Sequence, residues 1–523
     1  MPALERYLLS PWALAGAVLL SFFAAMGGYA LFDLDEGAFS QATLEMLASG
    51  EYLMTYLDGQ PRYDKPILIY WLQALSVRLF GAGEFAFRLP SALAASAWAV
   101  ALFYFARQVL DRPTAAVAVL IMVNALVVTI IGKSATADAL LNLWLALIFF
   151  DMYRYYLAPS NSMAMRVYLW MALGVLTKGP IAVALPFAVG TIFFVWSGAG
   201  RQWLRALTHP LGWLVLLVVA APWHVLVYLE HGTAFFEGFL LRHNVERFTD
   251  GLHGHRGNPL YYVFMLPLVL LPFTGWFFRI LGRARDSVSE PLDRLLWIWF
   301  AVVFVLFSFS QTQLPHYVLY GCTPLFILMA RHRELLINRW LAYLPPALFL
   351  LLLLFFPELL AFAAKYADRA YEIEMLGRGS EVLGHGDRIL PLLSLTVLLA
   401  CALSKAVKPW QGLLITALMH TATVNWMALP VAAGLQQEPV REAALVARQY
   451  DRPVVAVGIN MPSFSVYRGA PTLRREPRPG DLVFIRVDRL HRLDALAARA
   501  QLETIYRKGG VALVLVEEAD EQQ

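Results

Sequence analysis

The feature that most constrains this chain is a recurring length: apolar runs of close to 20 residues follow one another from residue 11 to residue 430. About 20 such residues carry an α-helix across the hydrocarbon core of a bilayer. Candidate spans fall near 11–32, 88–108, 113–131, 137–157, 167–177, 179–197, 209–230, 259–281, 292–310, 317–331, 337–357, 388–404 and 410–430, with Pro, Gly or Asp at several of the breaks. The fold class expected is therefore a membrane all-α protein with about thirteen transmembrane helices. Composition excludes the soluble alternative, because 59% of the residues are hydrophobic and 15% charged, against about 45–50% and about 25% in soluble domains. The first run, Pro11–Phe32, is too long for the core of a signal peptide and has no cleavage site, so it reads as a retained helix. Cys322 and Cys401 sit inside apolar runs and read as small hydrophobes. The net charge of +4 says little by itself, and no nucleic-acid partner is expected.

Charge placement gives direction. With the N-terminus in the cytoplasm, Arg107 and Arg112, Arg154 and Arg166, Arg201 and Arg205, Arg279, Arg283 and Arg285, Arg331 and Arg333, and Lys405 and Lys408 all fall at short cytoplasmic turns, as the positive-inside rule requires. The opposite loops, 33–87, 231–258 and 358–387, are longer and mix acids, bases and histidines. An odd number of spans then puts the C-terminus outside the cytoplasm. After about residue 435 the apolar runs stop. Glu438–Gln449 reads as an amphipathic helix, Pro453–Val457, Asp481–Val487 and Val511–Val516 as strands, Leu490–Gln501 as a helix, and Arg474–Gly480 as a basic turn. The expected organisation is a membrane domain over 1–434 and a small extracytoplasmic α/β domain over 435–523, for which structural and acceptor-docking roles are both open.

The first long loop opens with Asp33-Leu34-Asp35-Glu36, carboxylates that are costly at a membrane surface unless they bind a cation or do chemistry. A helix cap is the plainer use of such acids. The loop runs on through Leu57-Asp58-Gly59-Gln60-Pro61 and Tyr63-Asp64-Lys65-Pro66 to an apolar segment, Ile67–Phe80, too short to cross and suited to lie along the membrane.

Asp35-Glu36 before a helix, Gly59-Gln60-Pro61, Asp64-Lys65-Pro66 and Tyr70-Trp71-Leu72 resemble the first periplasmic loop of the bacterial lipid A aminoarabinose transferases, which belong with the protein O-mannosyltransferases among the integral-membrane GT-C glycosyltransferases. Thr136-Ala137-Asp138, Leu176-Thr177-Lys178-Gly179-Pro180, the stretch from Arg242-His243-Asn244 to His253-Gly254-His255, and Leu314-Pro315-His316-Tyr317 agree in order, so the likeness covers most of residues 10–330. Two positions depart from the family's pattern: Ala38 stands where an Arg is common, and Asp64 where Glu is common.

The resemblance implies an enzyme that moves a sugar from a polyprenyl phosphate to an extracytoplasmic acceptor, lipid or protein, with inversion and with no nucleotide. The leaving group is a lipid phosphate, so cations must meet its developing charge. Lys65, Lys178 and Arg247 are the candidates, with Tyr317 as a neutral donor. The plainer readings are a snorkelling lysine for Lys178, a surface charge for Arg247 and an interfacial anchor for Tyr317. Asp35 and Asp138 are the candidates to orient or deprotonate the acceptor. The family also implies a divalent ion, zinc or similar, held by Asp64 and His243, for which an Asp–His hydrogen bond is the alternative. A transporter or lipid flippase is the competing class. It calls for paired charges in mid-helix and inverted repeats, whereas here the charges cluster in external loops.

Overall fold

A computed structural model of the chain describes residues 3–239 and 257–518. It is mostly helical, with a four-stranded sheet near the C-terminal end. Among the described residues five helices are long and apolar enough to cross a membrane: Glu84–Val109, Pro210–His231, Pro291–Ser308, Gly386–Leu403 and Pro409–Gln436. A sixth is added if Arg339–Leu354 and Phe356–Lys365, bent by 65° from one another, form one span. Other expected spans are shorter or broken. The run 259–281 divides into Tyr261–Val269 and Thr274–Leu281, with Pro272 in the gap, where a missing N–H and a fixed φ interrupt the ladder. The run 113–131 divides at Ala125, whose extended backbone separates Arg112–Asn124 from Leu126–Ile131. The short run 167–177 belongs to a longer helix, Asn161–Lys178, because Ser160 caps it and accepts from the Met163 amide at 3.3 Å.

Several buried polar groups inside this apolar packing answer one another, as a low-dielectric interior favours. Lys133 donates to Ala24 O (3.0 Å) and Asn425 Oδ1 (2.6 Å), and Asn425 donates to Leu20 O (2.6 Å), which ties the first helix to the last span. Two of the basic turns close on buried acids: Arg154 and Arg166 on Asp151 at 2.9 and 2.7 Å, and Arg331 on Asp293 at 2.8 Å. Cys322 and Cys401 are buried and free.

Two sheets form outside the helices. The first is a minimal hairpin, β1 (Tyr56–Leu57) and β2 (Gln60–Pro61). Its turn residues Asp58 and Gly59 both have positive φ, 53° and 75°, the geometry that an Asp-Gly pair accepts. The second has the order β3-β4-β6-β5, formed by β3 (Val454–Val457), β4 (Leu482–Arg486), β5 (Ala500–Lys508) and β6 (Val511–Glu518). β3 and β4 are parallel, whereas β6 is antiparallel to β4 and to β5. The helix Glu438–Ala447 lays Val440, Ala443, Ala444 and Ala447, all fully buried, against this sheet, the spacing of one helical face.

The expected helix over Leu490–Gln501 is a correction. Residues Val487–Leu493 form a 3-10 helix, Asp494–Ala497 a single α-turn, and the chain then enters β5. Gly509 and Gly510, with φ of 56° and 83°, make the two-residue turn that returns β5 onto β6. That turn and its strand partner outweigh the helical tendency of the alanines at 495–500.

Candidate active site

The three acids that open the first loop part company in the fold. Glu36, only 4% exposed, turns inward. It accepts from Arg88 Nε (2.8 Å) and Nη2 (2.7 Å), and from the amides of Phe32 (2.9 Å) and Ala135 (2.7 Å). Arg88, fully buried, also donates to the carbonyls of Met26, Tyr29 and Ala30 at 2.8–3.0 Å and lies 4.1 Å over the Tyr29 ring. Through the Ala135 amide, Glu36 fastens the first loop to the second, three residues before Asp138, and Arg88 fixes the Glu36 carboxylate that makes this contact. Asp33 turns toward the C-terminal sheet and accepts from the Ser463 amide (2.9 Å) and hydroxyl. Asp35 heads the helix Asp35–Ser49 and stays exposed. Of the three acids only Asp35 is left open for substrate.

Behind it, β1 and β2 deliver Arg62, Asp64 and Lys65. Arg62 pairs with Thr55 through main chain and hydroxyl (2.8 and 2.9 Å), and its Nε reaches Asp64 Oδ2 at 3.3 Å. Its guanidinium lies 5.1 Å from the Phe39 ring, which stacks on Tyr70. Burial works against the charge of Arg62, but Tyr70, Asp64 and Asp35 outweigh it and hold its proton more firmly than usual. Burial pushes the Tyr70 hydroxyl up to about 12. Arg62 Nη1 and the Tyr70 hydroxyl are buried without a hydrogen-bond partner. Lys65 Nζ donates to the Asp64 carbonyl at 3.1 Å.

A second cluster faces this one. Asp138 begins the helix Asp138–Leu157 and Lys178 ends Asn161–Lys178, where Gly179 has φ +82° and a Cβ would strike the Phe239 ring at 2.3 Å. Lys178 Nζ contacts Asp138 Oδ1 and the Tyr320 hydroxyl, each at 2.5 Å, and Tyr320 also donates to Asp138. Lys178 Nζ lies 5.1 Å from the Tyr317 ring and 5.2 Å from that of Tyr320. His316 Nε2 stands 3.6 Å from Asp138. Burial lowers the pKa of His316 against the pull of Asp138, and the ring also feels Asp35 and Lys65. Asp35 is thus electrostatically linked to both clusters, to His316 on one side and to Arg62 and Tyr70 on the other.

The structure therefore brings together Asp35, Asp64, Lys65, Asp138, Lys178 and Tyr317 from segments far apart in sequence. Arg247 and His243 lie outside the described residues. The expected metal pair gains no support: Asp64 gives an oxygen to Arg62, and among the described residues no group of three His, Cys, Asp or Glu is arranged to hold an ion. Sequence reasoning missed Arg62, Arg88 and Tyr320, and it quoted Tyr70 and His316 within motifs without giving either a role in the site. Tyr320 had a local signal, because Pro315–Gly321 is a 3-10 helix, in which positions three apart eclipse, so Tyr320 falls in line with Tyr317.

Residues 64–226 match the family model described as dolichyl-phosphate-mannose-protein mannosyltransferase. Over 332 residues the chain is 31% identical to an undecaprenyl phosphate-alpha-4-amino-4-deoxy-L-arabinose arabinosyl transferase of Edwardsiella ictaluri, an alignment spanning 61% of this chain and 58% of that protein. With the Aeromonas hydrophila protein of the same name the identity is 30% over 382 residues, 69% of this chain and 67% of that one. The crystal structure of ArnT from Cupriavidus metallidurans bound to undecaprenyl phosphate superposes with a TM-score of 0.81 at 18% identity, covering 96% of this chain and 97% of that one. Sequence and fold agree, and the chain belongs to the family of the undecaprenyl phosphate-aminoarabinose arabinosyl transferases, integral-membrane proteins of GT-C type.

Proposed function

We propose that the protein transfers a sugar from a polyprenyl-phosphate donor to an extracytoplasmic acceptor, lipid A or another envelope glycolipid or protein. The observation that carries this reading is the convergence of Asp35, Lys65, Asp138, Lys178, His316 and Tyr320 where the helices and external loops meet. In a single displacement the acceptor oxygen attacks the anomeric carbon, the bond from that carbon to the phosphate oxygen breaks, and the electron pair leaves on the lipid phosphate. Lys65 and Lys178, with Arg247 from the third loop, meet that charge, and Tyr317 adds a neutral hydrogen bond. Asp138 is a positioning residue for Lys178, because the ion pair fixes the ammonium before the donor arrives. Asp35, the exposed carboxylate between the clusters, orients the acceptor and takes its proton where it has one; a phosphate acceptor, already ionised, needs only orientation.

The same reading places about thirteen spans in a bacterial inner membrane, with the N-terminus inside and the loops 33–87 and 231–258 outside. Residues 1–434 form the transferase domain and 435–523 an extracytoplasmic α/β domain. It is tested by reconstituting the purified protein in vesicles with a labelled polyprenyl-phosphate sugar and an acceptor extract. Acceptor-dependent release of free polyprenyl phosphate is expected. Passage of the intact lipid-sugar across the bilayer, without cleavage, would establish the flippase reading instead.

A further inference from the structure

The C-terminal sheet carries a cleft that the transfer chemistry does not use. β3 and β4 run parallel, and Leu473 makes a parallel bridge to Val455 on the other side of β3. Three chain segments therefore point their carboxyl ends at one edge, the place where open α/β sheets bind ligands. At that edge lies a cleft of about 770 Å³, within the range of about 300–1,000 Å³ of small-molecule sites.

Its lining is strongly one-sided in charge. Arg474, Arg475, Arg489, Arg492 and Arg499 face a single lining carboxylate, Glu476. Arg475 is answered by Asp481 in a two-pronged pair at 2.7 and 2.8 Å. Arg489 and Arg474 are held by neutral oxygens, Gly458 O and Asn460 Oδ1, both at 2.5 Å, so they are fixed in place without being neutralised. No ion pair holds Arg492 or Arg499 among the described residues. Gly458 permits this crowding: its φ is +66°, and a Cβ there would sit 2.7 Å from Arg489 Cδ and 3.3 Å from Arg492 Nη1. Guanidinium groups gathered in a concave site, with donors already aimed, match the oxygens of a phosphate ester.

A short stretch of chain and one hydrogen bond link the cleft to the loop that carries Asp35. Asn460, on its wall, is three residues from Ser463, at most about 11 Å of chain. Ser463 donates to Asp33, two residues from Asp35. We infer that this arginine cleft binds the phosphorylated saccharide headgroup of the acceptor and holds it beside Asp35. The inference rests on the transferase reading for the role, not for the binding.

The experiment uses the full chain in nanodiscs of phosphatidylcholine, with glucosamine 1-phosphate and inorganic pyrophosphate as probes, titrated calorimetrically. The wild type is expected to bind both. The variant Arg492→Glu/Arg499→Glu, whose side chains make no ion pair among the described residues, is expected to bind at least tenfold more weakly at unchanged melting temperature, and Arg489→Gln to be intermediate. Equal binding by wild type and double variant overturns the site. Loss of probe binding when phosphatidylglycerol is added to the discs assigns the cleft to bilayer headgroups and overturns the saccharide. In the transfer assay the double variant is expected to raise the acceptor KM about tenfold with kcat within twofold. An unchanged KM overturns acceptor docking. Arginine-dependent binding in a wild type that transfers nothing refutes the transferase reading and leaves the site standing.

Discussion

The Glu36–Arg88 pair offers the sharpest quantitative test of how the site is built. Arg88→Met keeps the length of the side chain and removes the guanidinium. Glu36 then retains only the amides of Phe32 and Ala135, and the carbonyls of Met26, Tyr29 and Ala30 each lose a donor. Breaking a buried pair on one side typically costs about 3–5 kcal/mol, and each acceptor left dry adds to that, so a loss of about 4–5 kcal/mol is expected. Glu36→Gln keeps an acceptor for Arg88 and should lose less, about 2–3 kcal/mol, being a hydrogen-bonded neutral replacement. The double variant Glu36→Gln/Arg88→Met should fall short of the sum by about 2 kcal/mol or more, since neither charge is then stranded. Denaturant-induced unfolding in mixed micelles, followed by tryptophan fluorescence, supplies the four free energies. Transfer should fall further than stability, because the pair holds Asp35 and Asp138 within one frame. An Arg88→Met loss below about 1 kcal/mol, or strict additivity, would refute the claim that Glu36 and Arg88 act as one coupled buried pair.

Lys178→Ala is expected to lower transfer about 10²–10³-fold, and Tyr320→Phe, which removes one contact of the Lys178–Asp138 pair, to lower it less; equal and small effects in initial rates would show that the phosphate sits elsewhere. Lys65→Ala should abolish most turnover at normal expression, with Lys65→Arg recovering only part, since Arg does not reproduce a compact ammonium. A cysteine at the exposed Gln60 should react with a membrane-impermeant thiol reagent in intact cells, and labelling only after permeabilisation would reverse the proposed topology. Burial pushes the Asp33 carboxyl up to about 7, against two hydrogen bonds from Ser463 and with help from the Glu36 charge. A released Asp33 ionises near 4, so docking of the C-terminal unit is full below about pH 4, weakens as pH rises from 4 to 7 and is level above that. Limited proteolysis of that unit between pH 4 and 8 measures this, and Asp33→Asn should flatten the profile.

Much of this protein is written in local pattern. Apolar runs of bilayer length determine that it is a helical membrane protein, because a backbone in hydrocarbon must satisfy its own hydrogen bonds. Short continuous apolar runs located β3, β4 and β6 to within a few residues, and the order of short motifs led to Asp35, Lys65, Asp138 and Lys178. What stayed hidden was pairing at a distance. Glu36 and Arg88 are 52 residues apart and Asp138 and Tyr320 are 182 apart, and no periodicity links them. Nothing in the local sequence marks Arg62, which gains its place when the fold closes Phe39 and Tyr70 around it. The segment 490–501 shows the same limit in miniature, since its alanines favour a helix locally and the edge of β6 makes part of it a strand. Hydrophobic burial is a property of a run of residues and is legible in one dimension. The use of a charge is set by which opposite charge it meets in a dry interior, and only the tertiary structure decides that.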